Sequence, residues 1–492
     1  MLFNSFEFLF ACLPVTVAGY IFLQHYCKSI AIWWLVAASI IFYSVWEIAF
    51  LPVLVGSVLV NFLLSRYMLQ APRLGRVLLI LGVAGNLLLL GYFKYLNFFL
   101  ENINVAFDSD IHWIEVVLPI GISFFTFQQI AFLVDTYRGE TNEASFSRYA
   151  LFVSFFPQLI AGPIVHHKEM MGQFGRGMSD IGGNLGAGLT LLVIGLVKKV
   201  VVADTVAVPA SAVFDAATMG ESVGFVDAWI GVVAYALQIY FDFSAYSDMA
   251  IGLARMMGIH LPINFMSPYQ AISIVDFWRR WHITLSRFLR DYLYFPLGGN
   301  RRGVGRQKIN LMLTMALGGI WHGAGWTFLI WGLLHGFYLL VNHAWESTRL
   351  AKLLSANSFW HVFSRVLTLL CIIIAWVPFR AADLTATMHI WKGMVGLNGV
   401  SVQGSGVELS AATLSVMLLA ILVALFVPSV YRLLSFMRLG LASPGYPATR
   451  ISPVGLAPKW GWSKRHAIIL GLAFAIVILK LNDVSEFIYF QF

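Results

Sequence analysis

The sequence predicts an all-α polytopic membrane protein. Three observations carry that expectation. Of its 492 residues 59% are hydrophobic and only 11% charged, where a soluble globular chain carries about 25% charged residues. Mean hydropathy is +0.79. Apolar runs near the ~20 residues that cross a hydrocarbon core as a helix recur along the chain, and the alternating short-strand pattern of an outer-membrane barrel is absent.

The runs place spans near 6–26, 30–47, 49–65, 77–99, 115–135, 184–203, 225–250, 361–379, 409–430 and 466–481. No cleavable signal peptide is expected, because the first apolar run lacks a preceding positive charge and follows Glu7. Lys and Arg set the orientation. Arg66, Arg73 and Arg76 put the loop after the third span inside, and the acidic loop with Glu101, Asp108 and Asp110 falls outside. Arg138, Arg148, Lys168 and Arg176 lie inside, loop 207–224, with no Lys or Arg, lies outside, and 252–308, with nine, lies inside. Both termini are then expected outside. Lys198 and Lys199, near the outer end of their span, do not fit this scheme.

The net charge of +8 reads as positive loops, not as a nucleic-acid surface. Cys12, Cys27 and Cys371 are scattered in or beside apolar runs and read as core residues. There is no fixed-period repeat and no soluble domain; 442–464, rich in Pro and Gly, is the loosest stretch.

Two apolar stretches are too short for ordinary spans. Segment 309–342 has positive charge at both ends, so both ends belong inside. A tight or re-entrant hairpin, bending at Gly318, Gly319, Gly323 and Gly325, satisfies this. Such a bend survives at membrane depth when buried in protein or lining a cavity. Segment 150–165, ending Ala161-Gly162-Pro163, reads the same way.

His322, between Trp321 and Gly323 at that bend, is the first candidate for chemistry. An ionisable residue at membrane depth is a functional candidate by default. A neutral imidazole can act as general base on a hydroxyl or attack a thioester; the plain alternative is a buried histidine bonded to a carbonyl. His282 follows in Asp276–Ser286. If that stretch is one helix, 278, 281, 282 and 285 share an aromatic face. It would then be an interfacial amphipathic helix or, alternatively, a surface meeting a polyanionic donor. Arg279, Arg280, Arg287, Arg290, Arg301 and Arg302 supply charge that could hold phosphates or anchor the segment to anionic lipid.

His335 and His343 are weaker candidates, and His166 and His167 read as interfacial. Asp242, Ser244, Tyr246, Ser247 and Asp248 either end a span or line a cavity. The last residues, Phe487-Ile488-Tyr489-Phe490-Gln491-Phe492, form an interfacial belt or a tail presenting the Tyr489 hydroxyl to an outward cavity. No metal-ligand spacing, nucleotide loop or GxSxG elbow occurs, so neither a metal site nor a soluble-type serine hydrolase is expected.

These blocks join into a resemblance. Phe155–Pro163, Val197-Lys198-Lys199 to Asp204, Tyr240–Ala250, Phe277–His282 through Arg290-Asp291-Tyr292 to Leu297-Gly298-Gly299-Asn300, and Leu317–Gly323 are ordered and spaced as in the membrane-bound O-acyltransferase superfamily. Within it the chain resembles the alginate O-acetylation and related exopolysaccharide-acetylating proteins. The likeness runs from 1 to about 380 and resumes in the last few residues; in 381–460 nothing is recognised.

The resemblance implies one transmembrane acyltransferase domain over 1–492, with a catalytic core at 115–345. Its fold would be a ring of tilted and re-entrant helices around a central tunnel. His322 would be the catalytic histidine and His282 a second histidine lining the tunnel. Trp321, Asp242, Ser244, Tyr246, Arg279, Arg280, Arg290, Asp291 and Asn300 would be tunnel or donor-binding residues, and Tyr489 an acyl relay. No bound cofactor or metal is implied; acetyl-CoA or another acyl thioester would be the donor. Membrane lipid, a periplasmic serine-hydrolase-like acetyltransferase and a polysaccharide-synthesis complex would be its partners at a bacterial inner membrane. The product would be an O-acetylated polysaccharide such as alginate or cellulose. Lipid or protein O-acylation within the same superfamily, and a membrane transporter, are the competing readings.

Overall fold

The computed structural model describes all residues except 115, 356, 401–409, 435–462, 482–485 and 489–492. Among the described residues there is no β-strand. The main helices are α1 (Phe8–Tyr26), α2 (Lys28–Trp46), α3 (Ile48–Gln70), α4 (Pro72–Phe107), α5 (Ile122–Tyr137), α6 (Phe146–Ser154), α7 (Ile181–Thr218), α8 (Phe225–Met256), α9 (Val304–His322), α10 (Trp326–Glu346), α11 (Ser358–Arg380), α12 (Leu384–Met394), α13 (Ala411–Phe426) and α14 (Lys464–Lys480). Here α1, α3, α4 and α7 are continuous runs that include tighter or wider turns.

Among the described residues seven of these, α1–α4, α7, α8 and α11, are long and apolar enough to cross a membrane. The expected spans at 115–135, 409–430 and 466–481 form shorter helices of 16, 16 and 17 residues. In the first case Gly121, at φ 75°, delays the helix start to Ile122. One boundary moved further. Loop 207–224 is mostly helix, because α7 continues through Thr218 past Pro209.

Burial separates centre from rim. In α8 78% of the apolar window is buried, whereas in α3 and α4 only 22% is. Leu63, Ile80, Leu81 and Leu88 of α3 and α4 are more than half exposed, a surface that suits lipid and would aggregate in water. At the centre α7 and α8 touch backbone to backbone. A Cβ on Gly188 would stand 2.5 Å from the Gly252 carbonyl oxygen, and one on Gly195 would stand 2.8 Å from that of Ala245. Small residues permit this approach where dispersion, not water exclusion, drives helix association.

The hairpin expected at 309–342 is present and longer. Helices α9 and α10 have 19 and 21 residues and turn at Gly323–Gly325. They also meet at glycines: a Cβ on Gly319 would collide with the Phe328 carbonyl, and one on Gly332 with that of Met315.

Candidate active site

His322 closes α9, and the Gly323–Gly325 reversal turns it into the interior, where it is 3% exposed. Gly323 is required there, since any side chain would run into the Phe328 ring. Rings surround the imidazole. Trp321, Trp331 and Phe379 have centroids 5.0, 5.1 and 5.1 Å away.

His282 is 6.5 Å from His322, centroid to centroid. The single helix expected through Asp276–Ser286 is broken at this residue. Ile274–Trp278 and Ile283–Leu289 are separate short helices, and His282 between them has φ 40°. The break follows from cross-links to a neighbouring stretch: Met266 N–H donates to Arg280 O at 2.9 Å, and Ile283 N–H to Asn264 O at 3.0 Å. His282 is therefore fully buried, which overturns the interfacial-helix alternative.

Asn264, which the sequence reading missed, is the hub of this turn. Its Oδ1 lies 3.1 Å from His282 Nδ1 and accepts from Thr284 N–H and Oγ–H, while its Nδ2 donates to Ser247 Oγ at 3.2 Å. With Nδ1 donating to that oxygen, the neutral His282 ring presents Nε2 as its acceptor. Its context offered no periodic signal: Asn264 sits in irregular chain after α8. His335, ranked low, is fully buried 4.9 Å from Trp331 and 5.1 Å from Trp278. His343 is exposed on the same helix.

Asp242, Ser244 and Tyr246 do not end a span. α8 runs on to Met256 and buries all three. They belong to a second polar centre that accounts for Lys198 and Lys199. α7 has a π-helical turn at Val197–Ala203. Lys198 pairs with Asp248 at 2.6 Å, and Lys199 with Asp242 at 2.8 Å and Asp204 at 2.9 Å. Lys198 also donates to Ser244 Oγ, and Tyr431 donates to Asp248 at 2.5 Å.

The end segment reaches this centre. Lys199 donates to Glu486 O at 2.8 Å, Ile488 N–H donates to Asp242 Oδ2 at 3.0 Å, and the Phe487 ring lies edge-on to Tyr246 at 5.1 Å. Phe487 and Ile488 are thus buried rather than interfacial. Tyr489 lies outside the described residues.

The arginines disperse. Arg280 pairs with Asp276, Arg290 with its neighbour Asp291, and Arg287 with Glu169 through two bonds of 2.6 and 2.7 Å; Arg279 and Asn300 are exposed. A cavity of about 560 Å³ gathers Asp291 and Arg301 with Arg138, Lys168, His166 and Tyr292. Tyr292 donates to Asp135 Oδ2 at 2.8 Å, and His167 Nδ1 stands 3.1 Å from the same oxygen. His166 lines this cavity, and His167 is buried beside Asp135. From Tyr292 a series of rings runs inward: Phe288 at 5.0 Å, Phe127 a further 4.2 Å on, then Trp321 at 5.0 Å beside His322. Cavity and histidine pair are thus joined by contiguous aromatic packing.

Comparison with known proteins identifies the family. Residues 122–377 match the MBOAT, membrane-bound O-acyltransferase, family. The peptidoglycan O-acetyltransferase of Helicobacter pylori is 47% identical over 436 residues, covering 82% of this chain and 81% of its own. The probable alginate O-acetylase AlgI of Pseudomonas putida is 38% identical over 100% of both chains. The teichoic acid D-alanyltransferase of Streptococcus thermophilus is 26% identical over 46% of this chain and 57% of its own. The matched segment contains α5 through most of α11, and with them His282, Asn264, His322 and the glycine reversal. This multi-pass chain belongs to the membrane-bound O-acyltransferase family and is an O-acyltransferase.

Proposed function

We propose that the protein transfers an acetyl group from a cytoplasmic acetyl thioester to an acceptor hydroxyl on the outer side of a bacterial inner membrane, for O-acetylation of an envelope polysaccharide. The observation that carries this reading is the buried pair His322–His282, 6.5 Å apart inside an aromatic shell. It is supported by the relatives, a peptidoglycan O-acetyltransferase and a probable alginate O-acetylase.

In this reading Arg138, Lys168 and Arg301 at the cavity meet the donor's phosphates. His322 is the general base: it takes the proton of the acceptor hydroxyl as the oxygen attacks the thioester carbonyl. The thiolate leaves and is protonated, and the new ester is released. His282, its tautomer set by Asn264, lies on the path of the acyl group. Tyr489 is the proposed first acceptor. A periplasmic partner with serine-hydrolase chemistry then passes the acetyl group to a sugar hydroxyl. Both chain termini are periplasmic in this arrangement.

The test is polymer acetylation in cells carrying His322→Ala at normal membrane levels. Loss is expected, and unchanged acetylation refutes the reading. For the relay, an acetyl-tyrosine should accumulate when the periplasmic partner is deleted; a fully active Tyr489→Phe rejects it. The D-alanyltransferase relative favours one competing donor, a D-alanyl thioester. Thiol release from acetyl and D-alanyl thioesters by the purified protein separates the two.

A further inference from the structure

Helix α9 ends inside the molecule, so its last carbonyls have no following turn to accept from. Three consecutive ones are met by side chains of a single neighbour, α4. Tyr95 Oη–H donates to Ile320 O at 2.9 Å, and Lys94 Nζ donates to Trp321 O at 2.7 Å and to His322 O at 3.1 Å. The same ammonium donates to Ser123 Oγ at 3.4 Å and stands 5.8 Å from the Trp321 ring centroid.

Two features distinguish this from ordinary end-capping. Neutral donors can satisfy carbonyls, and a buried ammonium costs far more to desolvate. Yet among the described residues Lys94 makes no ion pair with a carboxylate; its partners are carbonyls, one hydroxyl and a ring. Its positive charge is matched instead by the α9 terminus, equivalent to about half a negative charge. In addition, Lys94 and Tyr95 sit on a π-helical turn, Gly91–Tyr95, within an otherwise long helix. Such turns cost helix regularity and recur at functional sites.

We infer that Lys94 is a positioning residue for His322: its ammonium, with Tyr95, fixes the backbone of the last turn of α9 and with it the placement of the imidazole. This rests on His322 being the catalytic group. An imidazole displaced from the attacking hydroxyl loses transition-state stabilisation and not ground-state binding, so loss of Lys94 falls on turnover.

The experiment uses the full chain in nanodiscs with acetyl-CoA as donor and thiol release as readout. Lys94→Met, Lys94→Gln and Lys94→Arg are compared in the wild-type and His322→Ala backgrounds. Lys94→Met is expected to lower kcat about 100-fold with KM within about threefold. Lys94→Gln, which keeps a donor and loses the charge, should fall nearly as far, and Lys94→Arg should recover a substantial part. In the His322→Ala background Lys94→Met should add nothing, because Lys94 acts through that histidine. Wild-type kcat in folded Lys94→Met, with His322→Ala inactive, overturns the inference alone. An equal further loss in the His322→Ala background also overturns it, since that marks general damage to the fold. Full activity in His322→Ala itself overturns the catalytic reading and this inference with it. If Lys94→Met does not insert, Lys94→Gln carries the same outcomes.

Discussion

Two buried polar centres lie in this molecule, and they are built on opposite principles. The first is the histidine pair, set among rings and one amide, with the Lys94 ammonium on the His322 backbone carbonyl. The second joins Lys198 and Lys199 of α7 to Asp204, Asp242 and Asp248 in short ion pairs. Its acceptors are engaged a second time, by Tyr431 and by Ile488 N–H. Charge already paired in a low-dielectric interior is a poor reagent, because reacting means breaking the pair. Imidazoles wrapped in aromatic surface can take and release a proton without undoing a salt bridge. On the proposed mechanism the histidine pair does the chemistry and the ion-paired centre holds the fold.

The sharpest break in this comparison would come from His322→Ala. We expect acetyl transfer to drop by about 10³-fold, with the melting temperature of the purified protein nearly unchanged. A large loss of stability with activity retained would exchange the two assignments.

Next in size is Asp242→Ala. It strips Lys199 of one carboxylate and Ile488 of its acceptor. A buried pair broken on one side costs about 3–5 kcal/mol, and the remaining Asp204 places the expectation near the lower figure. Denaturation in detergent should reveal it. The double variant Lys199→Met with Asp242→Leu should be milder than Asp242→Ala; a harsher double would mean that the ions are not the source of the cost.

His282→Asn separates chemistry from backbone at the first centre. Asparagine tolerates the left-handed conformation at φ 40°, so stability should stay within about 1 kcal/mol while turnover falls by roughly 10–100-fold. Turnover at the wild-type level would reduce His282 to a packing residue.

The smallest effect is expected at the cavity. Burial, and after it the nearby Arg287 guanidinium, holds His166 below the usual histidine value of 6.5. Protonating it therefore costs the folded state. Its contribution is complete above 6.5 and drains away as pH falls through the lower folded value. His166→Gln should accordingly raise the melting temperature by about 2 °C at pH 5 and leave it unchanged at pH 8. Equal shifts at both values would disprove a titrating role.

The sequence made the helices and the hairpin legible because a bilayer imposes one strong rule, long apolar runs with internally bonded backbone. The motif around His322 was legible as well, since glycines cluster where a chain must reverse. What stayed hidden depends on distance along the chain. Asn264 reaches His282 across 18 positions, Lys94 reaches His322 across 228, and Lys199 reaches Glu486 across 287. Neither periodicity nor local composition reports such pairings. Lys198 and Lys199 looked misplaced for the same reason: their carboxylates come from α8 and from a turn further along α7. The break at His282 was missed because Asp276–Ser286 has good helical patterning, and a distant stretch overrides it.

The π-helical turns at Gly91–Tyr95 and Val197–Ala203 have a consequence for how the chain can be edited. Each accommodates one residue more than a regular helix would. Deleting a single residue there would relax the turn to ordinary α-helix and spare the hydrogen-bond ladder. The rest of that helix would keep nearly the same facing, because the wide turn had already absorbed the extra residue. Elsewhere in a span a one-residue deletion leaves a regular helix but turns everything beyond it by about 100°; these two turns are the places where the chain can lose a residue and stay aimed.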